Sequence, residues 1–466
     1  MRKTKIICTV GPATSNKTML KAMADAGMNI VRLNMSHGDH ASHQAVIDAI
    51  TEINQQRSQP LAILMDTQGP EIRTGDLRSE LQLNDGDEIT VSVRGSESVE
   101  ENSLQINYAD LLTSVNVGDR ITVDNGLINL EVLEKYERSL QCKVIDGGVL
   151  KSKRHVNLPG IRVNLPAITE KDRRDILFAI NNDLDFIALS FVRCADDVQQ
   201  LRQLLDEQQS QIRIIAKIED QEGLKNIDDI ITAADAIMVA RGDLGVEINI
   251  EDLPNVQRTI VHHCAVAGKP VIVATHLLES MIENPMPTRA EVTDVANAVY
   301  EEVDAVMLSG ETAVGKYPLK CIEYLDKVAN KSEQFEGLRY ADQLLLDTPK
   351  QKLAISAVHL ADAVNAAGIL VITKRGLMAR YAANARSRYC PIYAFTFDKR
   401  VQRQLNINRA VHAYALSAPQ EAEVMIGEAF ALLRKNGKAE SGDTFVVISD
   451  VLASKKIDAI QLRSIP

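Results

Sequence analysis

The sequence predicts an α/β protein: a (β/α)8 barrel of the TIM type, carrying an inserted small β domain and followed by an open α/β domain. Three observations predict it. Eight short apolar runs recur up to residue 310, most of them separated by amphipathic segments with helical spacing. The gap between the third and fourth runs exceeds a hundred residues and has the texture of β-hairpins. After about residue 340 a further alternation of strand and helix patterns begins.

The eight runs are KIICTV (5–10), MNIVRLN (28–34), LAILMD (61–66), DFIALSF (185–191), RIIAKI (213–218), AIMVAR (236–241), KPVIVAT (269–275) and AVMLSG (305–310). Their Val, Ile and Leu content suits parallel strands buried on both faces. Ser15 followed by TMLKAMADAG predicts a capped helix ending at Gly27. DDVQQLRQLLDEQQ (196–209) puts Val198, Leu201, Leu204 and Leu205 on one face, and LPNVQRTIVHHCAVAG (253–268) again ends in glycine. In PTRAEVTDVANAV (287–299), Thr288 and Glu291 stand at capping-box spacing.

The insert contains LQLNDGDEITVSV, NVGDRITVDNGLINLEVLE and LQCKVIDGG, whose alternation and D-G or N-G turns mark hairpins. Residues 71–167 are therefore expected to form a β domain on the barrel's top face, a lid that excludes water. The barrel would comprise 1–70 and 168–340. Residues 341–466 would form the third domain, with LAISAVHLADAVNAAG (353–368) helical and strands at ILVIT (369–373), PIYAF (391–395), AVHAYAL (410–416) and TFVVIS (444–449).

Composition excludes several classes. The 466 residues are 45% hydrophobic and 25% charged, as in globular proteins, and Trp is absent, so the core must be aliphatic. A net charge of −11 without a basic tract argues against a nucleic-acid partner. An anionic substrate would need a local basic pocket set against that charge. The six cysteines are scattered and form no C-x-x-C, which predicts reduced thiols in a cytoplasmic protein. The N-terminal MRKTKIICTVGP has too short an apolar run for a signal h-region. No stretch approaches ~18 apolar residues, so no membrane span is expected.

The chemistry gathers at the strand tips. MDTQGPEIRTG (65–75) ends a buried run in Asp66 and Thr67, breaks at Gly69-Pro70, and continues with Glu71 and Arg73. VRLNMSHG (31–38) puts Arg32, Asn34, Ser36 and His37 near one rim. An arginine inside an apolar strand must meet either an anionic ligand or a core carboxylate. The oxygens of Asn34, Ser36, Asp66 and Thr67 suit a hard, weakly held cation, and equally suit local capping. Lys217 and Glu219, two apart in IIAKIED (214–220), point to one face; Arg241 and Asp243 in VARGDLG (239–245) are also two apart. Glu219 and Asp243 on neighbouring strands form either a divalent-metal pair or part of a structural ion cluster. Lys217 beside them would stabilise charge on a transferring group. Thr275 serves as an N-cap or as a donor to substrate. GETAVGKY (310–317) is not a P-loop, because Tyr replaces the required hydroxyl residue and the segment follows the eighth strand rather than the first.

These motifs, in order, resemble the pyruvate kinase family. The resemblance rests on TVGPAT (9–14), VRLNMSHG, MDTQGPEIRTG, LPAITEKD (165–172), SFVR (190–193), AKIE (216–219), ARGDLGVE (240–247), LLESM (277–281), PTRAEVTDVANAV and SGETA (309–313), and it runs nearly end to end. It implies three domains and transfer of the phosphoryl group of phosphoenolpyruvate to ADP, giving pyruvate and ATP in the last step of glycolysis. It also implies that Glu219 and Asp243 hold Mg2+ or Mn2+, and that Asn34, Ser36, Asp66 and Thr67 hold K+. Arg32 would grip the phosphoryl group, and Lys217 would stabilise it in flight and the enolate afterwards. Gly242, Asp243 and Thr275 would border the substrate, with Thr275 beside the carbon that is protonated. Arg73, His37 and Asn34 would face the nucleotide. A homotetramer is implied, with Arg289 near a subunit contact.

Departures from the family pattern carry expectations of their own. Gln68 stands where Lys is usual, His276-Leu277 replaces Gln-Met, and Asn125 replaces an acid. Glu71 stands where members able to work without K+ carry Lys, so K+ dependence is expected. The effector-phosphate loop reads TKRGLMAR (373–380), keeping only Thr373 of its hydroxyls, and VVISDVLASKKIDA (446–459) lacks the second loop's glycine-rich run. Met378 would crowd a small anion there. Lys374, Arg375, Arg380, Arg386 and Arg388 either attract an anion or form a solvated surface. Two rival readings, a metal-dependent lyase acting on pyruvate enolate and a degenerate sensor, are opposed by the monovalent-cation ligands and by the presence of Lys217, Glu219 and Asp243.

Overall fold

The computed structural model describes residues 1–77, 79–94, 103–161, 163–418, 421–449 and 459–465. All eight apolar runs become strands of one closed barrel. In chain order they are Lys5–Thr9, Ile30–Asn34, Ala62–Asp66, Phe186–Leu189, Arg213–Ile218, Ala236–Ala240, Val271–Ala274 and Ala305–Leu308, each paired in parallel with its sequence neighbours and the eighth with the first. Alternation of side chains divides each strand between two cores. One set, including Ile6, Val31, Ile63 and Ile214, packs outward under the helices. The other, including Ile7, Ile30, Leu64, Ala188, Ile215 and Met238, fills the barrel interior.

The same alternation builds the functional rim. Two residues beyond Ile30, Leu64, Ala188 and Ile215 come Arg32, Asp66, Ser190 and Lys217, which therefore form the next inward layer at the C-terminal ends of their strands. Gly69 lets the chain leave the third strand. Its φ is +75°, and a Cβ there would stand 2.9 Å from both Phe191 and Ser190 side-chain carbons.

Local sequence chemistry sets the helix ends. The helix Lys17–Ala26 is capped by Asn16, whose side chain accepts from Met19 N, and not by Ser15 as the pattern predicts. The residue one position nearer the helix presents the better-placed oxygen. Thr288 and Glu291 form the expected capping box of Arg289–Tyr300. Arg241 and Asp243 do not share a strand face as their spacing predicts, because a helix, Arg241–Glu247, starts directly at the sixth strand's end. Arg241 turns back to the carbonyls of Ala274 and Thr275 and to Asp294 at 2.8 Å, and is structural.

Between the third and fourth barrel strands the insert forms a six-stranded sheet, Val156–Asn157, Arg120–Val123, Ile128–Lys135, Ser139–Asp146, Glu88–Val93 and Ser103–Ile106, beside the pair Leu81–Leu83 and Gly148–Leu150. It has its own aliphatic core. The outgoing and returning chains meet at an antiparallel bridge between Arg73 and His155.

A five-stranded sheet lies towards the C-terminus, in the order Val411–Ala415, Ile392–Thr396, Gly368–Ile372, Thr444–Ser449 and Ala459–Ser464. Its last strand is antiparallel and lies beyond the four strands the sequence pattern predicts. Ile407 joins the barrel's interior cluster. Arg386 is buried and donates to both oxygens of Asp304, at 2.9 and 2.6 Å, so it is not available to an anion as the sequence allowed. Met378 is 1% exposed and packs into the core rather than crowding a loop. The second effector loop falls largely outside the described residues. Among the described residues no helix is long and apolar enough to cross a membrane.

Candidate active site

The rim opens into a cavity of about 270 Å³. Arg32, Asn34, Ser36, His37 and Thr67 line it from the second and third strands, and Lys217, Glu219 and Asp243 from the fifth and sixth. Glu71 and Arg73 enter from the outgoing crossing. Asp66 lies directly beneath, fully buried. Thr275 and Gly242 stand beside this group, joined by a 2.8 Å hydrogen bond from Gly242 N to Thr275 Oγ1.

Lys217 is the centre of the arrangement and is 9% exposed. Its Nζ donates to Ser190 Oγ at 2.8 Å and lies 2.9 Å from Glu219 Oε1 and 3.2 Å from Asp66 Oδ1. Burial alone would lower its pKa. Asp66, Glu219 and Asp243 outweigh that and hold it above the ordinary value, so the side chain is an ammonium at neutral pH.

Asp66 balances two cations. Its Oδ2 accepts from Arg32 Nε at 2.7 Å, while Oδ1 faces Lys217. Burial would raise its carboxyl, but Lys217 and Arg32 hold it below the usual range. Arg32 thus has the core carboxylate that one sequence reading allowed. Its Nη1 also donates to Thr9 Oγ1. Each terminal nitrogen keeps one N–H free of these partners, so Arg32 can still donate into the cavity.

Glu219 is less well satisfied. Burial pushes its carboxyl up to about 7, against the pull of Lys217. One oxygen accepts from Phe191 N at 2.6 Å, and Oε1 faces the Lys217 ammonium at 2.9 Å. Phe191 and Thr275 both adopt left-handed backbone, φ 53° and 67°, which is strained for a bulky and for a β-branched residue. Strain of this kind concentrates at functional sites.

The sequence reading missed part of the wall. Ser190 supports Lys217 and also donates to Thr67 O at 2.7 Å; the Ala188–Ser190 alternation could have revealed it. Lys153, Arg154 and His155 reach the cavity from the returning crossing, and nothing in the local sequence indicated this. With Arg32, Arg73 and Lys217, Lys153 and Arg154 give the cavity five cationic side chains, a local basic patch on an acidic chain.

A closed parallel barrel with strained, charged residues gathered at its C-terminal rim is the architecture of a barrel enzyme. Comparison with known proteins identifies which kind. The family model "Pyruvate kinase, barrel domain" matches residues 1–322, and "Pyruvate kinase, alpha/beta domain" matches 351–461. Plastidial pyruvate kinase 2 of Arabidopsis thaliana is 41% identical over all of this chain and 81% of its own. The pyruvate kinase of Geobacillus stearothermophilus is 42% identical over 97% of this chain and 78% of its own. A crystal structure of a pyruvate kinase from Cryptosporidium parvum superposes with a TM-score of 0.95 at 39% identity, covering 100% of this chain and 96% of that one. The chain belongs to the pyruvate kinase family. Its function is the family's glycolytic one, transfer of the phosphoryl group of phosphoenolpyruvate to ADP to give pyruvate and ATP.

Proposed function

We propose that this reaction runs in the cavity around Lys217, and the observation that carries the proposal is the ammonium locked among Asp66, Ser190 and Glu219 at the barrel rim. Arg32 and Lys217 bind the phosphoryl oxygens of phosphoenolpyruvate. The bond from phosphorus to the enol oxygen breaks as one to the terminal ADP oxygen forms. Negative charge then falls on the enolate, beside the preorganised Lys217. Protonation at carbon completes pyruvate, with Thr275 and Gly242 bordering that position. Arg73, His37 and Asn34 face the nucleotide, and Arg154 extends that cationic side.

The donors fit a divalent cation. Glu219 offers a buried carboxylate whose Oε1 is paired with Lys217 alone, and Asp243 supplies a second carboxylate on the cavity wall. Among the described residues no group of three His, Cys, Asp or Glu could hold a metal, so substrate oxygens would complete the shell of Mg2+ or Mn2+. When bound, such an ion neutralises charge on the transferring group. Asn34, Ser36, Asp66 and Thr67 provide only oxygen donors, the set that K+ requires. The inserted sheet acts as a lid.

We place the enzyme in the cytoplasm as a homotetramer. The six free cysteines fit a reducing compartment, while the relatives include plastidial and chloroplastic enzymes. Sedimentation equilibrium tests the assembly. For the site, pyruvate formation should vanish when divalent ions are chelated and return with Mg2+ or Mn2+. Turnover that survives chelation would overturn the roles of Glu219 and Asp243.

A further inference from the structure

The loop between the second barrel strand, Ile30–Asn34, and the helix His40–Asn54 carries Ser36 and His37 into the active cavity. It is gripped from the helix Glu170–Asn181, which follows the return of the chain from the inserted sheet. Lys171, 136 positions beyond Met35, donates from Nζ to the Met35 carbonyl at 2.6 Å, where the loop begins. Asp175 lies one turn further along that helix and is 3% exposed. Its Oδ2 accepts from the same ammonium at 2.7 Å. Its Oδ1 accepts from His40 Nε2 at 2.7 Å, where the loop ends. The His40 ring also stacks on Phe178 of the helix, with centroids 4.4 Å apart. One helix thus holds both ends of the loop.

Within the loop the backbone is tied to the oxygens read above as the K+ set. Ser36 N donates to Asn34 Oδ1 at 3.1 Å, so the shape of the turn decides where that oxygen stands. Met35 N donates to Asp66 O at 3.0 Å, and His43 Nε2 donates to His37 O at 2.9 Å. Asp66 and Thr67 stand on a rigid wall: Asp66 is fully buried, and Thr67 Oγ1 accepts from Ser190 N at 3.0 Å. Asp172, beside Lys171, secures the exit of that wall by accepting from Gly69 N at 3.2 Å. Asn34 and Ser36 are only half-buried, and His37 is exposed. The loop half of the set therefore takes its position from its ties, and the one from Lys171 is charge-assisted.

We propose that Lys171 is a positioning residue for the monovalent cation: through the Met35 carbonyl it sets where Asn34 and Ser36 present their oxygens, and Asp175 holds it in place. The inference rests on the reading of Asn34, Ser36, Asp66 and Thr67 as the K+ donors. Binding groups must be held within about 0.5 Å of their working geometry, and losing an outer partner of a metal ligand costs about 10–100-fold in affinity.

Lys171→Met keeps most of the side-chain stem and removes the charged donor. The K+ concentration for half-maximal turnover should rise about tenfold or more, while kcat at saturating K+ stays near that of the unaltered enzyme. Hydrogen exchange gives a reading without turnover. In the substrate-free protein K+ should slow exchange in the peptide 35–41, and Lys171→Met should need about tenfold more K+ for the same slowing. Asp175→Asn should move both readings in the same direction by a smaller factor. Arg173→Met, at an exposed position of the same helix, should move neither. Unaltered K+ requirements in both Lys171→Met and Asp175→Asn, an equal shift in Arg173→Met, or a kcat that K+ does not restore would overturn the role of Lys171 alone. Indifference of the unaltered enzyme to K+ in both readings would overturn the cation site, and this inference with it.

Discussion

The proposed K+ dependence turns on Glu71. Its carboxylate accepts from Arg73 Nε at 2.7 Å and Gln68 Nε2 at 2.8 Å. Burial would raise its pKa, but these hydrogen bonds hold it below the ordinary value, so it is an anion in the cavity at neutral pH. A lysine there would bring an ammonium to the same place and stand in for a monovalent cation. Replacing K+ and Na+ by a bulky organic cation should therefore cut turnover about 10²-fold or more, and Glu71→Lys should relieve that loss. Full activity of the unaltered enzyme without K+ would contradict the reading. At this scale the sequence was most legible where strand periodicity did the placing: two-residue spacing beyond Ile215 puts Lys217 and Glu219 inward. It was silent on Arg154 and His155, because their approach depends on a bridge between Arg73 and His155 across 82 positions of chain. It left Arg32 open between an anion and a core carboxylate, since only the fold brings Asp66 within 2.7 Å.

Strand ends also carry the contacts between barrel and C-terminal sheet. Lys5, on the first barrel strand, is 3% exposed and donates to the carbonyl of Val411 at 2.5 Å. Burial pushes its ammonium down from 10.5 to about 7; Arg2 pushes the same way, and Glu333 and Asp304 pull back. The unfolded chain keeps that proton up to 10.5 while the folded chain releases it at about 7. Across this window the unfolded state binds more protons, so stability rises with pH. Below about 7 both states are protonated and the full cost of burial remains. One such proton contributes up to about 1.4 kcal/mol per pH unit. Lys5→Met cannot titrate, so the thermal midpoint of the unaltered protein should gain on the variant's between pH 7 and about 9. Parallel profiles would show that Lys5 keeps its ordinary pKa. Every apolar run became a strand because parallel strands are apolar throughout. The edge strand Ala459–Ser464 escaped because it has only two large apolar residues, Ile460 and Leu462, and the second is 53% exposed.

For the whole molecule, the C-terminal sheet and the barrel rim carry separate predictions. The C-terminal sheet ends near Thr373, whose Oγ1 is buried without a hydrogen-bond partner, while Met378 lies in the core and Arg386 is held by Asp304. Lys374 and Arg375 remain exposed, but the hydroxyls of the family loop are missing, and fructose 1,6-bisphosphate should neither bind at micromolar concentration nor lower KM for phosphoenolpyruvate. Titration calorimetry checks this, and micromolar binding with a lowered KM would contradict it. The proposed chemistry rests instead on the rim where the barrel strands bring Lys217 among Asp66, Ser190 and Glu219. Lys217→Met keeps the length of the side chain and removes its charge. If that ammonium acts on the transferring group, steady-state assays should show kcat reduced ~10²–10³-fold, with phosphoenolpyruvate binding largely unchanged by direct titration. A Lys217→Met enzyme with near-normal kcat would contradict the account.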